Sequence, residues 1–84
     1  MDERLEVEVM GRDRVVYRGE AVSVSSVNGK GKFDILPEHA NFITLIGERL
    51  VIRPVMGEVV DVPIRFGLMR VLRGRVEVFL GVGG

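Results

Sequence analysis

The chain has 84 residues, enough for one small domain with a thin margin of stability. Hydrophobic residues make up 46% and charged residues 29%, which excludes a disordered chain, and the absence of cysteine excludes a disulfide framework or a thiolate metal site. Twelve basic and twelve acidic residues cancel, which argues against a nucleic-acid binder, because phosphate contacts supply most of such a protein's affinity.

Read in chain order, the charged start Met1-Asp2-Glu3-Arg4 is not followed by a signal-peptide core, and no apolar run approaches the roughly 20 residues of a bilayer-spanning helix. The reading is of a soluble intracellular protein. Leu5, Val7 and Val9 then alternate with Arg4, Glu6 and Glu8, the period of a half-buried strand. Val22 and Val24 alternate with Ser23 and Ser25, which places the serines on an outer face. Asn28-Gly29 marks a hairpin turn leading to Phe33 and Ile35. Pro37 is pre-set for a first helical position, so one helical turn is expected after it, followed by a strand over Phe42 to Ile46. Around Leu50-Val51-Ile52 and Val59-Val60 the alternation gives way to apolar runs, expected of strands covered on both faces. Pro54 and Pro63 belong at strand ends or edges, because proline donates no ladder hydrogen bond. Met56-Gly57-Glu58 and Arg73-Gly74-Arg75 read as tight turns, and Val76, Val78, Phe79 and Leu80 form a last strand. Gly83-Gly84 reads as a frayed end.

These elements predict a single all-β domain over residues 1–84, a small β-sandwich of two sheets built from about 8–10 short strands. The predicted core is Leu5, Val7, Val22, Val24, Phe33, Ile35, Leu45, Ile52, Val71, Val76 and Val78.

Chemistry-bearing motifs are sparse. Gly29-Lys30-Gly31-Lys32 has the flavour of a phosphate loop, but a P-loop needs a longer glycine run and a helix start behind its lysine, and here Phe33-Asp34-Ile35 continues as a strand. A solvated hairpin tip accounts for it. His39 is the only histidine, whereas a metal site of useful affinity takes three or four ligands. Its structural reading is a corner residue whose imidazole bonds backbone carbonyls. No catalytic, metal-ligating or cofactor-binding residue is predicted. The arginines, scattered from Arg4 to Arg75, each lie near an acid or a turn and read as a solvated face.

One stretch is specific enough to carry a family resemblance. Gly31-Lys32-Phe33-Asp34-Ile35-Leu36-Pro37-Glu38-His39-Ala40, continuing through Asn41-Phe42-Ile43-Thr44-Leu45-Ile46, resembles the signature of the amino-terminal β-domain of the ATP synthase epsilon subunit. Val15-Val16-Tyr17-Arg18-Gly19-Glu20-Ala21 resembles that family's second strand. Phe66-Gly67-Leu68-Met69-Arg70-Val71 with Val76-Glu77-Val78 resembles its closing hairpin. The family's carboxy-terminal pair of helices has no counterpart in these residues. Asp34 and Glu38 stand where many members carry glycine, and Lys32 stands where some carry a carboxylate that meets the membrane ring.

The resemblance implies a non-catalytic docking domain of a rotor stalk, bound to a gamma-type shaft and a c-type ring and helping to couple proton transport to ATP synthesis. It implies a cytoplasmic location, peripheral at the inner face of the membrane through partners, with no cofactor. The partner-binding positions it implies are Lys30, Lys32, Glu38, His39, Asn41 and Phe42. The alternative reading is a free-standing epsilon-like β-sandwich interaction module unrelated to ATP synthesis.

Overall fold

The computed structural model describes residues 4–81, so the Met1-Asp2-Glu3 start and the Gly83-Gly84 end read above lie outside the described residues. The opening alternation becomes β1 (Leu5–Met10), with Leu5, Val7 and Val9 buried and their neighbours turned to water. Next come β2 (Val15–Asn28), β3 (Gly31–Ile35) and β4 (Phe42–Pro54). The last two are β5 (Val60–Leu72) and β6 (Arg75–Leu80). No helix occurs among the described residues, so none is long and apolar enough to cross a membrane.

The strand order is β1-β6-β5-β4-β2-β3, and β1 also pairs with β2, which closes the sheet on itself. Every pairing is antiparallel except β1 with β6. The closed sheet is flattened into two layers because β2, β4 and β5 are long enough to serve both. The first halves of β2 and β4 and the second half of β5 join β1 and β6 in one layer. The remaining halves join β3 in the other. The all-β sandwich expectation holds, although the segments are six strands instead of eight to ten separate short ones. Gly19, Gly47 and Gly67 interrupt the sequence as turns would, yet the chain passes each of them within a continuous strand.

Bulges make the bends. The ladder between β2 and β4 shifts between Ala21 and Ser23 and again between Ser25 and Val27. The ladder between β4 and β5 shifts between Ile46 and Glu48, where Glu48 takes a φ of 68°. An extra residue in one strand bends it and increases its twist, which carries each long strand from one layer to the other. At Gly67 the neighbouring strand crowds in: a Cβ there would lie 3.2 Å from Phe79 O and from Leu80 Cδ2 on β6, so only glycine fits without a shift.

The core holds Leu5, Val7, Val24, Ile35, Ile52, Val71, Val76 and Val78 as expected, together with Val9, Ala21, Ile46, Leu50 and Met69. Three predicted core residues differ. Val22 is 45% exposed, because the bulge beside it reverses the parity of the strand and turns Ala21 and Ser23 inward. Leu45 is 54% exposed while Ile46 is buried; in Phe42-Ile43-Thr44-Leu45-Ile46 both parities are apolar enough to face inward, and Phe42, Thr44 and Ile46 do so. Phe33 is half-buried at the margin of the core and meets Phe42 edge-on. Ser23, expected on the outer face, is buried, as is Ser26. Ser26 Oγ donates to the Arg49 carbonyl at 2.7 Å, which satisfies it there. Val59 is exposed instead of covered, and Pro37 is followed by a turn instead of a helical turn. Pro54 ends β4, and Pro63 lies in the half of β5 that pairs with β4 alone.

Two expectations follow. Leu50→Ala should lower the unfolding free energy by about 2–5 kcal/mol, as buried leucine truncations do, whereas Leu45→Ala should change it by no more than about 0.5 kcal/mol. Denaturant titrations of both variants test this, and a large loss at Leu45 would put that side chain inside. The second concerns Glu77, whose carboxyl is held below its ordinary value of 4.5 chiefly by the hydrogen bond from Arg70, against the opposing effect of burial. A carboxyl depressed in the fold contributes stability at pH above its unfolded value and loses it as pH falls through the folded value. The gap in stability between the native chain and Glu77→Gln should therefore be widest near neutrality and narrow below pH 4.5, as read by thermal unfolding across pH.

Candidate docking surface

The hairpin joining β2 to β3 is shaped by its own residues. Asn28 Oδ1 accepts the Lys30 backbone N–H at 2.9 Å, closing a side-chain-made turn, and Gly31 takes the φ of 117° that brings the chain back. Lys30 and Lys32 are exposed at this tip.

At the other end of β3 the chain turns through residues 36–41. The His39 N–H donates to the Leu36 carbonyl at 3.1 Å, and Glu38 adopts a φ of 72°, the left-handed region that glycine occupies without steric cost. His39 is half-buried and Nδ1 donates to the Ala40 carbonyl at 2.7 Å, the corner role expected of it. Asn41 Oδ1 accepts the Arg73 N–H at 3.0 Å, tying this loop to the turn between β5 and β6. There Arg73 and Gly74 have φ values of 50° and 78°, the primed turn that two-residue hairpins prefer. Phe42 is half-buried, with its ring centroid 5.5 Å from His39 and 5.8 Å from Phe33.

The six predicted docking residues therefore fall into two places. Lys30 and Lys32 hold the hairpin tip. Glu38, His39 and Asn41 sit one β3 length away, roughly 16 Å at the usual strand rise, where Glu38 and His39 line a shallow depression with Arg4, Arg73 and Gly74. Phe42 packs beneath that second place.

The outer faces of the two layers differ in chemistry. On the layer containing β3, polar groups pair among themselves: Arg49 Nε with Asp61 at 2.8 Å, Ser25 with Asp34 at 2.5 Å, and Arg53 with Ser25 at 3.2 Å. The layer containing β1 and β6 carries a charged row in which Ile43 is followed across the strands by Arg70, Glu77, Glu8 and Arg18. Arg70 bonds Glu77, and Arg18 Nε bonds Glu8 at 3.0 Å. The next row on that face is wholly apolar: Leu45, Leu68, Phe79, Met10 and Val15 stand opposite one another in register across five strands. Sequence reading missed this row because its members come from five separate strands, each of them one apolar residue at the outward parity.

A strand order that closes on itself, with long bent strands serving both layers, is a specific arrangement. Residues 4–81 match the family described as ATP synthase, Delta/Epsilon chain, beta-sandwich domain. The chain belongs to this family. An ATP synthase epsilon chain from Sulfurimonas denitrificans is 32% identical over 78 residues, covering 92% of this chain. The match covers 60% of that relative, so the present chain spans well under its full length. A chain in the mitochondrial ATP synthase structure of Euglena gracilis, containing OSCP, F1 and c-ring, has the same fold with a TM-score of 0.86. It is 13% identical, with 95% of this chain and 52% of that one covered. A chain in the central stalk and c-ring structure of the Tetrahymena thermophila mitochondrial enzyme superposes with a TM-score of 0.79 at 14% identity, covering 94% of this chain and 64% of that one. The family match is to the epsilon-type amino-terminal β-sandwich that the sequence resembles.

The left-handed backbone at Glu38, where many epsilon members carry glycine, yields a further expectation. Glu38→Gly should raise stability by about 0.5–1 kcal/mol, the relief of a side chain from that conformation less the extra freedom glycine gives the unfolded chain. Equilibrium unfolding of the variant checks it, and a clear loss would mean that the Glu38 side chain makes a stabilising contact.

Proposed function

We propose that this chain acts, over residues 1–84, as a non-catalytic docking domain of an ATP synthase rotor stalk. In this reading it binds a gamma-type shaft and a c-type ring and helps couple proton transport to ATP synthesis. The observation that carries the reading is the family match across residues 4–81, supported by the epsilon chain relative. The groups that catalysis would recruit have other employment: Ser26 bonds the Arg49 carbonyl, Ser25 bonds Asp34, and His39 bonds the Ala40 carbonyl.

The two places at either end of β3 suit two contacts. Lys30 and Lys32 form an exposed, positively charged tip, which fits an acidic or hydroxyl-rich loop on a ring subunit. The loop bearing Glu38, His39 and Asn41 is pinned to the β5–β6 turn and presents a fixed, mixed-polarity corner that fits the side of a shaft. Placement through such a stalk makes the domain peripheral at the cytoplasmic face of the membrane.

The test is reconstitution with the gamma-type and c-type subunits of the same organism. Lys32→Glu should slow association about tenfold at low salt and reduce its salt dependence, since complementary charge acts mainly on the on-rate. Arg14→Glu, at the opposite end of β2, serves as the control and should change little. Arg75 is unsuitable for that purpose, because it faces Glu6, Glu8 and Glu77. Equal weakening by both reversals would move the docking surface elsewhere, and failure to bind either subunit would favour the free-standing module.

A further inference from the structure

Most sheet margins in this fold are defended against stray pairing. The outer margin of β3 carries Lys32 and Asp34, and that of the first half of β5 carries Asp61 and Pro63, the charge and proline that natural edges use. The first half of β4, residues 42–46, has neither charge nor proline. It pairs with β5 on one side, and no strand among the described residues pairs with the other.

The direction of its main-chain groups follows from the neighbouring turn. The two-residue turn Arg73-Gly74 makes Leu72 and Arg75 a hydrogen-bonded pair. By alternation Leu68 and Arg70 bond β6, so Gly67, Met69 and Val71 bond β4. Their partners Ile46, Thr44 and Phe42 turn their N–H and C=O groups toward β5, which leaves those of Ile43 and Leu45 pointing outward. The Leu45 carbonyl meets only the hydroxyl of neighbouring Thr44, at 3.2 Å. The side chains of these same two residues are the most solvent-exposed of the segment, at 66% and 54%. Leu45 also begins the apolar row that continues through Leu68, Phe79 and Met10.

The geometry points to a second docking site: the Ile43–Leu45 margin of β4 receives an extended strand of another protein. The incoming main chain bonds Ile43 and Leu45, and an apolar side chain lies beside Leu45 and lengthens the apolar row by one strand. Strand addition of this kind takes its affinity from the main chain and its selectivity from alternate side chains. A second copy of this chain fits poorly. Antiparallel pairing of Ile43 with Leu45 of the copy bonds both residues but sets the apolar row of each molecule against the charged row of the other. Pairing Leu45 with its own counterpart aligns the rows but bonds one residue pair only, because Gly47 is already matched to Val27. The inference rests on main-chain direction and the apolar row and does not depend on the stalk reading.

The test uses a displayed library of random ten-residue peptides against the domain. The expected result is enrichment of peptides with apolar residues at alternate positions, and at least tenfold slower amide exchange at Ile43 and Leu45 when such a peptide binds. Leu45→Lys should reduce binding at least tenfold, and Arg14→Glu, outside both proposed docking places, should leave it unchanged. Ile43→Pro should abolish binding while keeping the fold, since the lost N–H points away from β5; if that variant fails to fold, Leu45→Lys with the exchange measurement carries the test. Absence of enriched peptides, protection confined to other strands, or binding indifferent to Leu45→Lys would overturn the inference. So would concentration-dependent protection of Ile43 and Leu45 without peptide, which would assign the margin to a second copy.

Discussion

β1 is the seam of this fold. It is the strand that pairs with both β2 and β6, and through those two ladders the sheet closes. Its inward side chains Leu5, Val7 and Val9 are almost wholly removed from water and belong to the buried core cluster. Antiparallel pairing fixes the first half of β2, and parallel pairing fixes β6, so the register of β1 sets the phase of the whole layer. A slip of one residue there would turn three buried apolar residues into solvent and bring Glu6 and Glu8 inside. The charged row on the outer face guards against it, because Arg18, Arg75 and Glu8 meet only in the native register.

Closure at one side leaves the opposite side open, and the surfaces proposed for docking lie there. The hairpin tip and the first half of β4 face each other across the gap between layers, linked by Phe33 against Phe42 and by Asn28 Nδ2 donating to Thr44 Oγ1 at 3.2 Å. The seam supplies rigidity and the open side supplies unsatisfied surface. Bulges let one chain do both, since each long strand is interior in one layer and marginal in the other. Pro63 is tolerated within a strand for the same reason: its half of β5 is a margin, where sheets accommodate proline.

The sandwich was legible because period-two alternation in Leu5 to Val9 and Val76 to Val78 is a local property, and burial followed it. The corner role of His39 was legible from Pro37 and from the lack of companion ligands. What escaped reading depended on where the chain bends. Plain alternation sends Val22 and Leu45 inward, but it runs through segments where a bulge resets the phase or where both parities are apolar. Glycine marks a turn and a bend with the same letter, so Gly47 and Gly67 did not disclose that β4 and β5 continue through them. Among the docking candidates, Lys30 and Lys32 were legible from the Asn-Gly turn. The link from Asn41 to Arg73 joins residues 32 positions apart, and no local pattern reports it.

The parallel pairing of β1 with β6 has a consequence for how the protein is made. Glu6 stands beside Arg75, so among the described strands β1, made early, waits for β6, made later, before its second neighbour exists. Until β6 leaves the ribosome, β1 can pair with β2 alone, one side of Leu5, Val7 and Val9 lacks its cover, and the parallel margin of β1 is open to other chains. Because a loop of about seventy residues must close before that ladder forms, from Glu6 to Arg75, closure of the sheet is comparatively slow. Until then the waiting strand carries Glu6 and Glu8 at its outward positions, the kind of charge that discourages stray pairing at an open margin.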